Sequence, residues 1–209
     1  MTTLKIAGTR PRGPTRITLP LDLVASMIGR GPAAARPPVG DPLERLSLLD
    51  KLGARLDFER TGAQLYQALI PKLEAHGAFR GGPTRAEVER LRNGKLGHAV
   101  LVQHLIVKLG GDPAVTTLAA HRQAALSAGL CHVIGDPRTT LVDCLDTVVV
   151  AELVDRESWA LLGKLMAPLG DAQAQAQIRE VERAEAEHLA IVRAWLAIAV
   201  ALGASRAIS

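Results

Sequence analysis

The sequence predicts an all-α protein: a bundle of four long helices, a long crossover between the second and third helices, and an extended N-terminal arm. The chain has 209 residues, of which 48% are apolar and 22% charged, enough for one globular core. Four long segments carry apolar side chains at alternating steps of three and four, and helix start and stop motifs separate them. We therefore divide the chain into an arm, residues 1–42, and a bundle, residues 43–209.

The arm is rich in proline and basic residues. Seven of the twelve prolines lie in it, and they remove backbone donors and disfavour helix. We expect an extended segment with one short helix over the apolar residues 21–28, draped over the body or over a second copy in a homodimer. The formal charge of +4 resides in this arm, so the body is neutral and presents no basic binding face.

Each long helix has its own start signal. Three starts pair a capping side chain with an acid three residues on, and the fourth helix begins after a capping aspartate. The resulting helices run from 43 to about 75, from 85 to about 109, from 141 to about 169 and from 171 to about 203. The four starts are Asp41-Pro42-Leu43-Glu44, Thr84-Arg85-Ala86-Glu87, Thr140-Leu141-Val142-Asp143 and Asp171.

The lengths of the connections restrict the topology. Short links join the first helix to the second and the third to the fourth, so each pair forms an antiparallel hairpin. The link over residues 110–139 is long enough to travel the length of the bundle and contains a short helix over 118–130. One long crossover in the middle distinguishes this arrangement from a simple up-and-down bundle.

Several classes of protein are excluded by composition. Five aromatic residues offer little stacking surface for single-stranded nucleic acid. No apolar run reaches the roughly 18 residues of a membrane helix, and the N-terminus lacks a secretion signal. We expect a cytoplasmic protein without a membrane or nucleic-acid partner. Cys131 and Cys144 lack metal-ligand spacing and are interpreted as small buried hydrophobic residues.

Ionisable residues interrupt the apolar stripe of every long helix. An isolated buried charge costs several kcal/mol, so these groups must meet each other or a cation. The two hairpins have similar spacing between their polar sites, which places all four sites at similar depth. Glu59 precedes Tyr66 by seven residues and Glu152 precedes Trp159 by seven, which indicates a weak internal repeat. The interrupting residues are Glu59, Lys95, His98, Glu152, Asp155, Glu185 and His188.

Over residues 43–203 this pattern resembles the ferritin-like superfamily of di-iron carboxylate proteins. In that family two helices each supply one Glu and the other two each supply Glu-x-x-His. The resemblance implies metal ligands at Glu59, His98, Glu152, Glu185 and His188, an iron or manganese cofactor and oxidoreductase chemistry. Tyr66, which many members share, would then be a candidate electron donor. The pair Lys95-x-x-His98 departs from the family, which has Glu where this chain has Lys95.

Lys95 leaves three interpretations open. A single ion binds, held by Glu185, His188 and Glu152 or by Glu185, His98 and Glu59. Alternatively Lys95 is itself the cation of a metal-free network, and the bundle has a structural or partner-binding role. In the third interpretation Lys95 turns aside or is neutral, and two weakly bridged ions persist. Asp155 is either an outer ligand or a hydrogen-bond partner of His188.

Overall fold

The computed structural model describes the backbone of residues 41–207 and the side chains of residues 41–203. The predicted arm lies, up to residue 40, outside the described residues. The described part is helical, with four long helices and a helix in the crossover. These are α1 (Pro42–His76), α2 (Arg85–Lys108), α3 (Leu118–Gly135), α4 (Leu141–Met166) and α5 (Ala172–Ala207), with a 3-10 turn at Ala167–Leu169 before α5.

The helix starts follow the capping motifs in the sequence. The Asp41 side chain accepts from the Leu43 amide at 2.9 Å, and Thr84 and Thr140 each form a capping box with the acid three residues on. Gly170, at φ 66°, makes the tight reversal between α4 and α5. The predicted helices and their order are therefore confirmed.

The bundle is held by two apolar clusters with a polar layer between them. One cluster joins residues 58–73 of α1 to the start of α2, the start of α4 and the later part of α5. The other joins residues 48–56 of α1 to the end of α2, the end of α4 and the early part of α5. On each long helix the ionisable residues fall between the two, so they share one level of the bundle.

The crossover helix α3 extends to Gly135, five residues beyond the predicted end. It packs against α1 and, less closely, against α4. Its N-terminus is fixed to α1, because the Asp50 carboxylate accepts from the Ala119 amide at 2.8 Å and the Thr117 hydroxyl donates to the Asp50 carbonyl at 3.2 Å. Cys131 lies on the exposed side of α3, so its predicted burial is wrong, whereas Cys144 is buried.

Gly53 lets α3 approach α1 closely. A Cβ at this position would lie 2.5 Å from the Thr117 Oγ1 atom. We expect Gly53→Ala to lower the free energy of unfolding by about 1–3 kcal/mol through overpacking, although alanine is the better helix former. Urea denaturation measures the change. The matched control is Gly129→Ala in α3, where a Cβ meets nothing within 4 Å, and a gain of up to about 1 kcal/mol is expected. Equal gains in both variants would contradict the contact.

One described segment, Ala172–Gly203 of α5, is long and apolar enough by length and composition to cross a membrane. Core helices of water-soluble proteins pass the same test. This segment also carries Glu185 and His188, which are buried within the bundle.

Candidate metal centre

The structure brings the predicted site residues together in the polar layer. The five candidate ligands, Lys95 and Tyr66 all lie there, and apart from His98 all are buried. The donor atoms form two overlapping groups that could hold a metal ion. One group contains Glu59, His98 and Glu185, and the other contains Glu152, Glu185 and His188.

Lys95 points into the centre of the layer. Its Nζ atom lies 3.0 Å from the Glu152 carboxylate and 2.5 Å from Oε2 of Glu185, and it also contacts Asp155. The ammonium group therefore lies among three carboxylates that come from α4 and α5. This excludes the interpretation in which Lys95 turns aside.

Arg55 is a second buried cation, which the apolar stripe of α1 does not predict. Its guanidinium pairs with Glu59, at 3.2 Å from Nε to Oε1, and with Asp155. It also stacks over the rings of Phe58 and Trp159. The signal in the sequence was the i, i+4 spacing to Glu59, which puts both side chains on one face of α1.

Asp155 forms ion pairs with both buried cations. Its contacts are with Lys95 and Arg55. Neither proposed role of this residue, as an outer ligand or as a partner of His188, corresponds to those contacts. Asp155 lies one turn of α4 beyond Glu152, and its carboxylate faces Arg55 of α1 and Lys95 of α2.

The internal repeat produces two reciprocal hydrogen bonds. The Tyr66 hydroxyl on α1 donates to Oε1 of Glu152 on α4 at 2.7 Å. The Trp159 indole on α4 donates to Oε1 of Glu59 on α1 at 2.6 Å. Each aromatic residue thus holds the carboxylate of the other half, which fixes the orientation of both lone carboxylates.

The two histidines lie beside Glu185. The Nδ1 atom of His98 is 2.7 Å from Oε1 of Glu185 and 3.7 Å from Oε2 of Glu59. The Nδ1 atom of His188 is 3.3 Å from Oε2 of Glu185 and 4.0 Å from the Glu152 carboxylate. Their rings are stacked with centroids 6.0 Å apart.

Four of these buried ligand atoms lack a hydrogen bond of acceptable geometry. They are Oε2 of Glu59, Oε1 of Glu185 and the Nδ1 atoms of His98 and His188. Nδ1 of His98 and Oε1 of Glu185 are 2.7 Å apart, but the ring nitrogen is not oriented to form a hydrogen bond with that oxygen. Buried polar atoms are normally paired, so ligand atoms that converge without partners fit the donor set of a cation. Three of the four belong to the group of Glu59, His98 and Glu185.

The buried environment raises the pKa values of four groups in the layer. Burial raises the pKa of Glu152 to about 8 and that of Asp155 to about 7. Burial disfavours the charged form of His98, but the Glu185 and Glu59 carboxylates outweigh it and raise the pKa of His98 to about 9. Burial likewise opposes the charge on Lys95, and the acids around it still raise its pKa well above the usual value. The metal-free layer thus retains protons that the unfolded chain would release.

The stability of the metal-free protein should therefore fall as the pH rises. The contribution of His98 is complete below its unfolded pKa of about 6.5 and is lost as the pH rises through about 9. Glu152 and Asp155 act in the same direction, because their folded pKa values are raised. We expect His98 alone to account for a loss of about 2 kcal/mol between pH 6.5 and 8.5, and the two acids to add to it. Urea denaturation in the presence of a chelator measures it, and His98→Gln should flatten the slope. Stability that rises over this interval would contradict the pKa assignments.

Comparison with known proteins bears on the fold. No protein-family model matches the sequence, and a search of curated proteins finds no match. Among solved structures, the chain is similar to a protein from Bacillus anthracis str. Ames described as ferritin like and diiron-carboxylate. The TM-score is 0.58 at 16% sequence identity, covering 73% of this chain and 97% of that chain. The predicted fold is confirmed: this chain has the ferritin-like fold, and its polar layer contains carboxylate and histidine groups that could hold a metal ion.

Proposed function

We propose that the protein binds one divalent metal ion, iron or manganese, through Glu59, His98 and Glu185. This proposal rests on the fact that each of these three residues has an unpaired buried ligand atom, whereas in the other group both oxygens of Glu152 are bonded. Two carboxylate oxygens and one imidazole nitrogen make a donor set suited to either metal. The reciprocal bond from Trp159 to Glu59 and the ion pair from Arg55 hold the Glu59 carboxylate toward this group.

The charge of the layer favours one ion over two. Metal binding requires deprotonated ligands, and with four ionised carboxylates facing Lys95 and Arg55 and both histidines neutral the formal charge of the layer is minus two. One divalent ion neutralises that charge, whereas two ions would leave an excess of two positive charges in a buried layer. The four carboxylates are those of Glu59, Glu152, Asp155 and Glu185.

In the second group, the Glu152 carboxylate and one oxygen of Glu185 already have partners. Glu152 accepts from Tyr66 and from Lys95, and Oε2 of Glu185 is bonded to Lys95. An ion held by Glu152, Glu185 and His188 would have to displace the ammonium or lie close to it. Lys95 therefore takes the place of a second ion.

An oxidoreductase role is the reaction class that we propose for such a site. Iron or manganese, when bound, supplies one-electron redox chemistry. The chain contributes Tyr66, whose buried hydroxyl donates to Glu152 and whose pKa is raised, by burial first, well above its usual value. The ionised form of Glu152 is positioned to accept the phenol proton when Tyr66 is oxidised. The adjacent cavity, about 10 Å³, holds at most one water molecule, so reactants beside Lys95 must be very small.

Metal analysis of the purified protein tests the proposal. We expect about one ion of iron or manganese per chain. His98→Gln should reduce metal content more than tenfold, whereas His188→Gln should retain most of it. The reverse order would move the ion to the group that contains Glu152. Tyr66→Phe should keep the metal and lose any peroxide-dependent oxidation.

A metal-free structural role is the second candidate, and the three carboxylates around the Lys95 ammonium favour it. In that case the polar layer would specify the register of the helices, and the bundle would serve as a scaffold or as a surface for partners. Protein that binds no iron or manganese when incubated with either ion would support this role and overturn the proposed metal site.

A further inference from the structure

The solvent-facing side of the metal centre is formed by its two histidines. The side chains of Glu59, Glu152 and Glu185 expose at most 1% of their surface, whereas His98 exposes 12% and His188 exposes 7%. His98 belongs to α2 and His188 to α5, and these two helices contact each other much less than the helices within each hairpin do. Within the described residues, the layer is thus nearest to solvent between α2 and α5.

Two glycines lie one turn apart on α2 at this place. A Cβ at Gly94 would lie 3.2 Å from Cε1 and 3.5 Å from Nε2 of His188, so the outer edge of that ring rests against the bare backbone. At Gly97 a Cβ would meet nothing within 4 Å. Glycine is unfavourable inside a helix. Two glycines beside His98 therefore cost stability, and they leave the backbone of α2 without side chains at this place.

We propose that metal ions reach the centre through the seam between α2 and α5, and that the His188 ring opens it by rotating in the space that Gly94 leaves. The proposal rests on the single-ion function above. His188 is then a gating residue and not a principal ligand, in agreement with the carboxylates beside it being bonded to Lys95. Gly97 keeps the outer mouth of the seam clear.

Gly94→Val tests the proposal. The rate at which metal-free protein takes up Mn²⁺ is followed by the loss of the free-ion electron paramagnetic resonance signal. We expect a rate at least tenfold lower than in the unsubstituted protein, with the same final ratio of metal to chain. Gly129→Val in α3, where a Cβ meets nothing within 4 Å, is the matched control and should take up Mn²⁺ at the original rate. His188→Ala should accelerate uptake.

A second measurement is independent of metal. Diethyl pyrocarbonate modifies accessible imidazoles, and the rate at His188, followed by peptide mass spectrometry, should fall in Gly94→Val. If Gly94→Val does not fold, Gly94→Ala is tested instead, and smaller decreases in both the uptake rate and the modification rate are expected. Unchanged uptake and modification rates would overturn the gate. Absence of Mn²⁺ binding in the unsubstituted protein would instead overturn the proposed function, and the modification rates would still decide whether the seam is the open side.

Discussion

Lys95→Met is expected to lower the free energy of unfolding of the metal-free protein by about 3–5 kcal/mol, because it removes a buried cation and leaves its carboxylates unpaired. The ammonium contacts Glu152, Asp155 and Glu185, and the residue is 1% exposed. Methionine nearly matches the length of the lysine stem, so lost packing contributes little. Urea denaturation at pH 7 with a chelator measures the effect.

Lys108→Met is the control for Lys95→Met. Lys108 pairs with Asp171, but its side chain is 53% exposed. An exposed ion pair contributes about 0–1 kcal/mol, so this variant should unfold nearly as the original protein does. Similar small losses in both variants would show that the carboxylates are protonated and need no partner.

Lys95→Glu is expected to raise the metal content from one ion per chain to two. The substitution restores the residue that the ferritin-like pattern has at this position and reverses the local charge by two units. At an effective dielectric near 20, a unit charge 4 Å away contributes about 4 kcal/mol, so the change is large enough to decide the stoichiometry. Without metal the variant should be strongly destabilised, since one more buried acid joins four others. Elemental analysis and thermal unfolding with and without Mn²⁺ measure both effects.

Lys95→Gln separates the two consequences of Lys95→Glu. Glutamine removes the positive charge without adding an anionic ligand. It should be destabilised when metal-free, but it should not acquire the second ion as readily. A ratio that remains at one in Lys95→Glu would refute the view that Lys95 replaces the second ion.

Helical periodicity predicts the level of the buried layer but not all of its members. Four apolar stripes, interrupted at matched depth, indicated that Glu59, Lys95, Glu152 and Glu185 would meet, and they do. Arg55 was missed because it lies off the traced stripe, although its i, i+4 relation to Glu59 was visible. Helical periodicity assigns a residue to a face, but a long guanidinium reaches from the edge of that face into the core.

The partners of individual side chains could not be obtained from spacing. The heptad relation of Glu59 to Tyr66 and of Glu152 to Trp159 indicated a repeat. The crossing of the hydrogen bonds, from Tyr66 to Glu152 and from Trp159 to Glu59, depends on the distance between α1 and α4. Asp155 was likewise expected to be an outer ligand or a partner of His188, whereas its neighbours in space are two cations.

The sequence alone determined the helices, their order and the level at which the charges lie, because capping motifs and apolar periodicity act within one helix. The distance between facing helices decided the rest: which carboxylates the Lys95 ammonium contacts, which donor atoms stay unpaired and which side of the site reaches solvent. Those outcomes arise from side chains that lie 57 to 90 residues apart in the chain, and only tertiary packing fixes contacts over such separations.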